Sequence, residues 1–94
     1  ELAIPGETDR VYRSDHPVTV VDHLLDRRLR VTTEGAANRV VWNPWAEKAA
    51  KLDDVRDEWT KFVCVEGGNV LDDAITVAPG RSRSLTYRVE VFPR

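Results

Sequence analysis

Between Leu85 and Phe92 the side chains alternate: Leu85, Tyr87, Val89 and Val91 fall on one set of positions, Thr86, Arg88 and Glu90 on the other. A period of two puts the two sets on opposite faces of an extended strand, whereas a helix would scatter them around its circumference. The same habit recurs upstream in short β-branched and aromatic runs ended by turn residues. This is the pattern of a mostly β, antiparallel chain, with one short helix.

The predicted strands begin with residues 9–13, closed by Ser14-Asp15-His16-Pro17, where Pro17 removes a backbone donor and pushes His16 toward extended or turn geometry. Residues 18–22 follow, then 27–33, in which Leu29, Val31 and Thr33 alternate with Arg28, Arg30 and Thr32. The five residues Glu34-Gly35-Ala36-Ala37-Asn38 suit a long hairpin loop and predict that 27–33 pairs with 39–42. Asn43-Pro44 breaks that strand, and the Ala, Glu and Lys of residues 45–52 predict one or two helical turns. After the charged loop 53–58, the unbroken apolar run Phe62-Val63-Cys64-Val65 predicts a central strand buried on both faces. Residues 74–78 and 85–92 are expected to form a final pair around Pro79-Gly80, a dipeptide suited to a type II turn.

Ninety-four residues make one domain with a modest core, residues 1–94. Fourteen Lys and Arg against sixteen Asp and Glu, scattered without a stripe, make nucleic acid and anionic membrane poor partners. No apolar run approaches the roughly 20 residues of a membrane helix. The single cysteine, Cys64, cannot close an internal disulfide and fits a reducing cytoplasm. The chain contains no methionine and opens on Glu1-Leu2-Ala3 in mid-phrase, which suggests a portion of a longer protein.

Glu66 stands out chemically, at the end of the apolar run and before two glycines that cannot shield it. A carboxylate desolvated at a strand end suits a general base near neutral pH; the alternative is a carboxylate that simply meets solvent. Trp42, Trp45 and Trp59 gather in one region, as platforms for the apolar faces of sugars or as core filling. Asp9 can accept hydrogen bonds from ligand hydroxyls or pair locally with Arg10. His16 and His23 read as surface residues and Cys64 as an inert buried thiol. The acids of 53–58 lack the alternating ligands and glycine of a calcium loop, and no metal is expected.

Taken together, Val40-Val41-Trp42-Asn43-Pro44-Trp45-Ala46-Glu47-Lys48-Ala49, Phe62-Val63-Cys64-Val65-Glu66 and Val77-Ala78-Pro79-Gly80, with Glu7-Thr8-Asp9-Arg10-Val11-Tyr12 upstream, resemble the C-terminal part of the D-hexose-6-phosphate mutarotases. These are also called glucose-6-phosphate 1-epimerases and are relatives of aldose 1-epimerase, or galactose mutarotase. The resemblance implies a β-supersandwich that binds sugar on a concave sheet and interconverts the α and β anomers of hexose 6-phosphates or other aldoses. It implies Glu66 as catalytic base, Asp9 as a contact to sugar hydroxyls, and Trp42 and Asn43 as substrate-binding residues, with no cofactor. Neither His16 nor His23 stands where the family carries its general-acid histidine. The 94 residues alone are therefore expected to be inactive. The alternatives are a non-catalytic carbohydrate-binding sandwich and a structural domain that self-associates through its sheet edges.

Overall fold

A computed structural model describes residues 2–93. Among the described residues six strands form: β1 (Thr8–Arg13), β2 (Val18–Asp22), β3 (Arg27–Glu34), β4 (Asn38–Asn43), β5 (Cys64–Gly68) and β6 (Thr86–Pro93). Between β4 and β5 sit the short helix α1 (Trp45–Ala49) and a 3-10 helix (Arg56–Lys61); a second 3-10 turn (Leu71–Asp73) follows β5. The strands make two antiparallel three-stranded sheets, one ordered β1-β4-β5 and the other β2-β3-β6.

The sheets face one another as a sandwich. Val65 of the first, with Val63 just before β5, and Leu29, Val31 and Val89 of the second line an open apolar cleft of about 970 Å³. The Tyr87 hydroxyl donates across it to the Val65 carbonyl. At one point the layers meet so closely that a Cβ on Gly67 would lie 2.6 Å from Cγ2 of Thr33. Among the described residues the enclosed apolar core is small: Val31, Ala36 and Ala49, with the Pro44 ring also fully buried. Among the described residues no helix is long and apolar enough to cross a membrane.

Three expectations about pairing are corrected. The hairpin of 27–33 with 39–42 does not form: β3 pairs with β2 and β6, and β4 with β1 and β5. Gly35, at φ +84°, redirects the chain, and Ala36 is buried as the link passes to the other sheet. Asn69 holds that crossing, accepting from the Ala37 amide and donating to the Gly35 carbonyl. A glycine-bearing link specifies a change of direction, and tertiary packing decides which sheet the next strand joins.

The apolar run 62–65 leads into an edge strand, half-buried, rather than a central one. Its apolar residues are divided among neighbours: Phe62 packs on Trp42, with ring centroids 5.8 Å apart, while Val63 and Val65 face the cleft. Residues 74–78 form no strand, and the final pair is β6 with β3. The Pro79-Gly80 turn does form, with Gly80 at φ +75° and the Arg81 amide 3.0 Å from the Ala78 carbonyl. The loop 53–58 is partly drawn into the 3-10 helix, where exposed Arg56–Asp53 and Lys61–Glu58 pairs sit three residues apart.

Candidate functional site

The register of the β1-β4-β5 sheet settles which candidate residues can act together. Asp9 is opposite Trp42 and Trp42 opposite Cys64; Val11 is opposite Val40 and Val40 opposite Glu66; Arg13 is opposite Asn38 and Asn38 opposite Gly68. Residues directly opposite project to the same side, and alternate rows share a face. Asp9, Trp42 and Glu66 therefore stand on one face of one sheet, with Arg13 and Asn38 in the next row. Val65 lines the inter-sheet cleft and the bare face of Gly67 meets Thr33, so this face is the outer one.

Glu66 is the third of the five residues of β5 and is exposed, so the enclosure expected at the end of a buried strand is not found. Asp9, on β1, is exposed as well. The half-buried indole of Trp42 lies between them, diagonal to Glu66 at a Cα separation of about 7–8 Å. Two carboxylates flanking an aromatic surface can accept hydrogen bonds from hydroxyls at the edge of a ring whose apolar face rests on the indole.

Asn43 sits behind this face. It is 3% exposed; its amide nitrogen donates to the carbonyls of Trp59 (2.9 Å) and Phe62 (2.7 Å), and its oxygen accepts from the Trp45 amide (2.9 Å). Trp45 is held at φ +62°, a left-handed conformation rare for a bulky residue, and its ring packs against Trp59 at a tilt of 43°, with centroids 4.6 Å apart. Asn43 thus fixes the end of β4, the start of α1 and the approach to β5 at once.

Beside Glu66, Cys64 is half-buried on the outer face rather than enclosed, and burial, followed by the nearby Glu66 charge, pushes its thiol pKa up. Tyr87 is shifted the same way, first by burial and then by Cys64 and Glu66, so its phenol stays protonated and keeps its bond to the strand that carries Glu66. His16 and His23 lie in loops outside the sheet; the His16 carbonyl accepts from the buried Arg39 guanidinium, and His23 lines the cleft. Among the described residues no three His, Cys, Asp or Glu side chains gather as a metal site.

The signals in the sequence stop at Glu66 and its two glycines, and miss the rim built just beyond them. Asp73 accepts from Nδ2 of the buried Asn38 (2.9 Å) and from Nε of Arg13 (3.0 Å), and the Val70 amide donates to the Asn38 oxygen (2.9 Å). These bonds, Asn38 first and Arg13 second, hold the Asp73 carboxyl below its ordinary value of 3.8. Two asparagines and an aspartate clustered around β4 and the loop after β5 were the available signal, since such side chains bind local backbone groups.

Comparison with known proteins adds to this geometry. Residues 2–90 match the family described as aldose 1-epimerase. A relative from Cenchrus ciliaris is 36% identical over 81 residues, covering 84% of this chain and 24% of its own length. One from Escherichia coli (strain K12) is 38% identical over 64 residues, covering 66% of this chain and 22% of its own length. Both carry the name "Putative glucose-6-phosphate 1-epimerase". The chain thus spans about a quarter of the length of these relatives. No solved structure matches it significantly.

Proposed function

The chain belongs to the aldose 1-epimerase family, and from that premise we propose that it carries the general base of an epimerase interconverting the α and β anomers of a hexose 6-phosphate. The observation that supports this reading best is the common outer face of Glu66, Asp9 and Trp42. Glu66 takes the proton of the C1 hydroxyl while an acid protonates the ring oxygen and the bond between C1 and that oxygen breaks. The resulting C1 aldehyde rotates, the ring oxygen attacks its other face, and Glu66 returns the proton to the C1 oxygen. Base and acid are regenerated, so no co-reactant is consumed.

Asp9 accepts from the sugar hydroxyls, and Trp42 supports the apolar face of the ring. Asn43 serves the same substrate from behind the sheet, by holding the Trp45, Trp59 and Phe62 backbone through its three hydrogen bonds, and Phe62 in turn packs on Trp42. The acid is supplied from outside these 94 residues, since both histidines stand off the sheet. A reducing cytoplasm is the setting proposed for this chemistry, in keeping with the unpaired Cys64.

Saturation-transfer NMR on glucose 6-phosphate tests the assignment in the full-length protein. Glu66→Gln is expected to lower the exchange rate by about 10²–10⁴-fold, and wild-type turnover would remove Glu66 from the mechanism. In the same assay the 94-residue chain alone is expected to give the buffer rate.

A further inference from the structure

Among the described strands β5 lies at a sheet edge, bonded to β4 alone, and Glu66 projects from its outer face. The two residues that flank Glu66 both meet the second sheet. The Val65 carbonyl accepts from the Tyr87 hydroxyl, and the bare face of Gly67 lies against the Thr33 methyl. We infer that Thr33 and Tyr87 form a clamp that sets the position of Glu66 from behind its sheet, so that both act as positioning residues for the base; the inference rests on the epimerase reading above.

Three observations carry it. The first is register. Thr33 of β3 is directly opposite Tyr87 of β6, so the two side chains stand next to each other on the face of their sheet that looks into the cleft. They grip β5 as one unit, Tyr87 on the residue before Glu66 and Thr33 on the residue after it. The second is closeness. A Cβ on Gly67 would lie 2.6 Å from Cγ2 of Thr33 and 3.5 Å from Cβ of Ala36, so only glycine lets the layers meet here. Thr33 is β-branched and stiff at χ1, which makes its methyl a firm stop.

The third is what the contact displaces. Thr33 presents its methyl to Gly67 while its Oγ1 is buried with no hydrogen-bond partner among the described residues. A buried hydroxyl left unpaired is unfavourable, so packing against Gly67 outweighs hydrogen bonding at this position. Tyr87 keeps its end of the clamp near neutral pH, because burial, followed by Cys64 and Glu66, pushes its phenol pKa up and leaves it a donor. Asp9 and Trp42, assigned to the sugar, stand on β1 and β4 and not on the strand that is clamped. The clamp therefore governs the base rather than the binding of the ring.

The test is made in the full-length protein by saturation-transfer NMR across glucose 6-phosphate concentrations, with urea midpoints measured alongside. Tyr87→Phe is expected to lower kcat about tenfold and to leave KM within about twofold of wild type, since a base held out of place slows chemistry and not binding. Tyr87 is 44% exposed, so the lost bond stays open to water and the fold is kept. Gly67→Ala pushes β5 off the second sheet and is expected to lower kcat about 10²-fold, the scale of a misplacement of about 1 Å. Adding Thr33→Ser, which removes the methyl in the way, is expected to recover about tenfold of that loss. An unchanged kcat in Tyr87→Phe, a loss expressed in KM instead, or a Gly67→Ala loss that Thr33→Ser does not relieve overturns the inference while leaving the epimerase reading intact; if Gly67→Ala does not fold, Tyr87→Phe decides alone. A wild-type protein that does not anomerise the sugar overturns the epimerase reading instead, and backbone hydrogen exchange then decides the clamp. Faster exchange in β5 of Tyr87→Phe with β1 unchanged supports it, and equal rates in β5 exclude it.

Discussion

At Asn43 one amide ends a strand, begins a helix and ties down a 3-10 turn. Replacing it with alanine strands the Trp59 and Phe62 carbonyls and the Trp45 amide in a region the chain largely encloses. Each buried polar group left unpaired costs about 1–3 kcal/mol. Because Trp45 also loses the contact that holds it at φ +62°, Asn43→Ala is expected to lower stability by about 2–4 kcal/mol, read as a fall in the urea midpoint with little change in slope. A midpoint within error of wild type would show that the amide is dispensable. The motif Trp42-Asn43-Pro44-Trp45 drew attention to the right place, but its residue types alone do not say which way each points. Period two does: adjacent strand positions face opposite sides, so Trp42 and Asn43 work from the two faces of β4. Burial was less legible. The apolar residues before Glu66 suggested enclosure, and only the pairing of β5 at a sheet edge shows the carboxylate to be open to water.

The segment from Asn69 to Asp73, which closes in the short 3-10 turn, is fastened at both ends, by Asn69 to the sheet crossing and by Asp73 to Arg13 and Asn38. Its hold is sensitive to acid. The Asp73 carboxyl has a folded pKa below its ordinary 3.8, so its contribution is fully present above that value and is lost as pH falls through the lowered one. Asp22 behaves alike at the turn after β2, held down first by the Leu25 amide and then by Arg27. Urea midpoints measured from pH 6 to pH 2 are expected to fall below about pH 4, and to fall less steeply in Asp73→Asn; equal slopes for both proteins would exclude the loop from the acid response. At this scale β1 to β4 and β6 were legible to within a residue, because alternation and turn chemistry are local, whereas β5 runs on through Gly68 and residues 74–78 form no strand. The partners of the strands were not legible. Whether β4 joins β3 or β1 depends on contacts such as Ala36 under the crossing and Thr33 against Gly67, which no local window contains.

The whole molecule leaves much apolar surface uncovered: Leu24 is 92% exposed, Leu25 62% and Val91 58%, and the cleft between the sheets stands open. Both sheets also end on unpaired strands, β1 and β5 in one and β2 and β6 in the other. Free edges beside apolar patches template association, and the 94-residue chain is expected to sediment as concentration-dependent dimers or larger species. A single monomer boundary at high concentration would oppose this, and Val91→Lys, placing a charge on an edge strand, is expected to shift the distribution toward monomer. The chain order of the strands bears on folding as well. One sheet draws on the first, fourth and fifth strands and the other on the second, third and sixth, so each is assembled from segments that the other interrupts. Closing either layer brings together strands separated by segments of the other, and the pairing of Arg27 with Pro93 spans most of the chain. Such long-range closures are slow, and they bind the two layers into one cooperative unit, in which hydrogen exchange on β3 and on β4 should report the same opening.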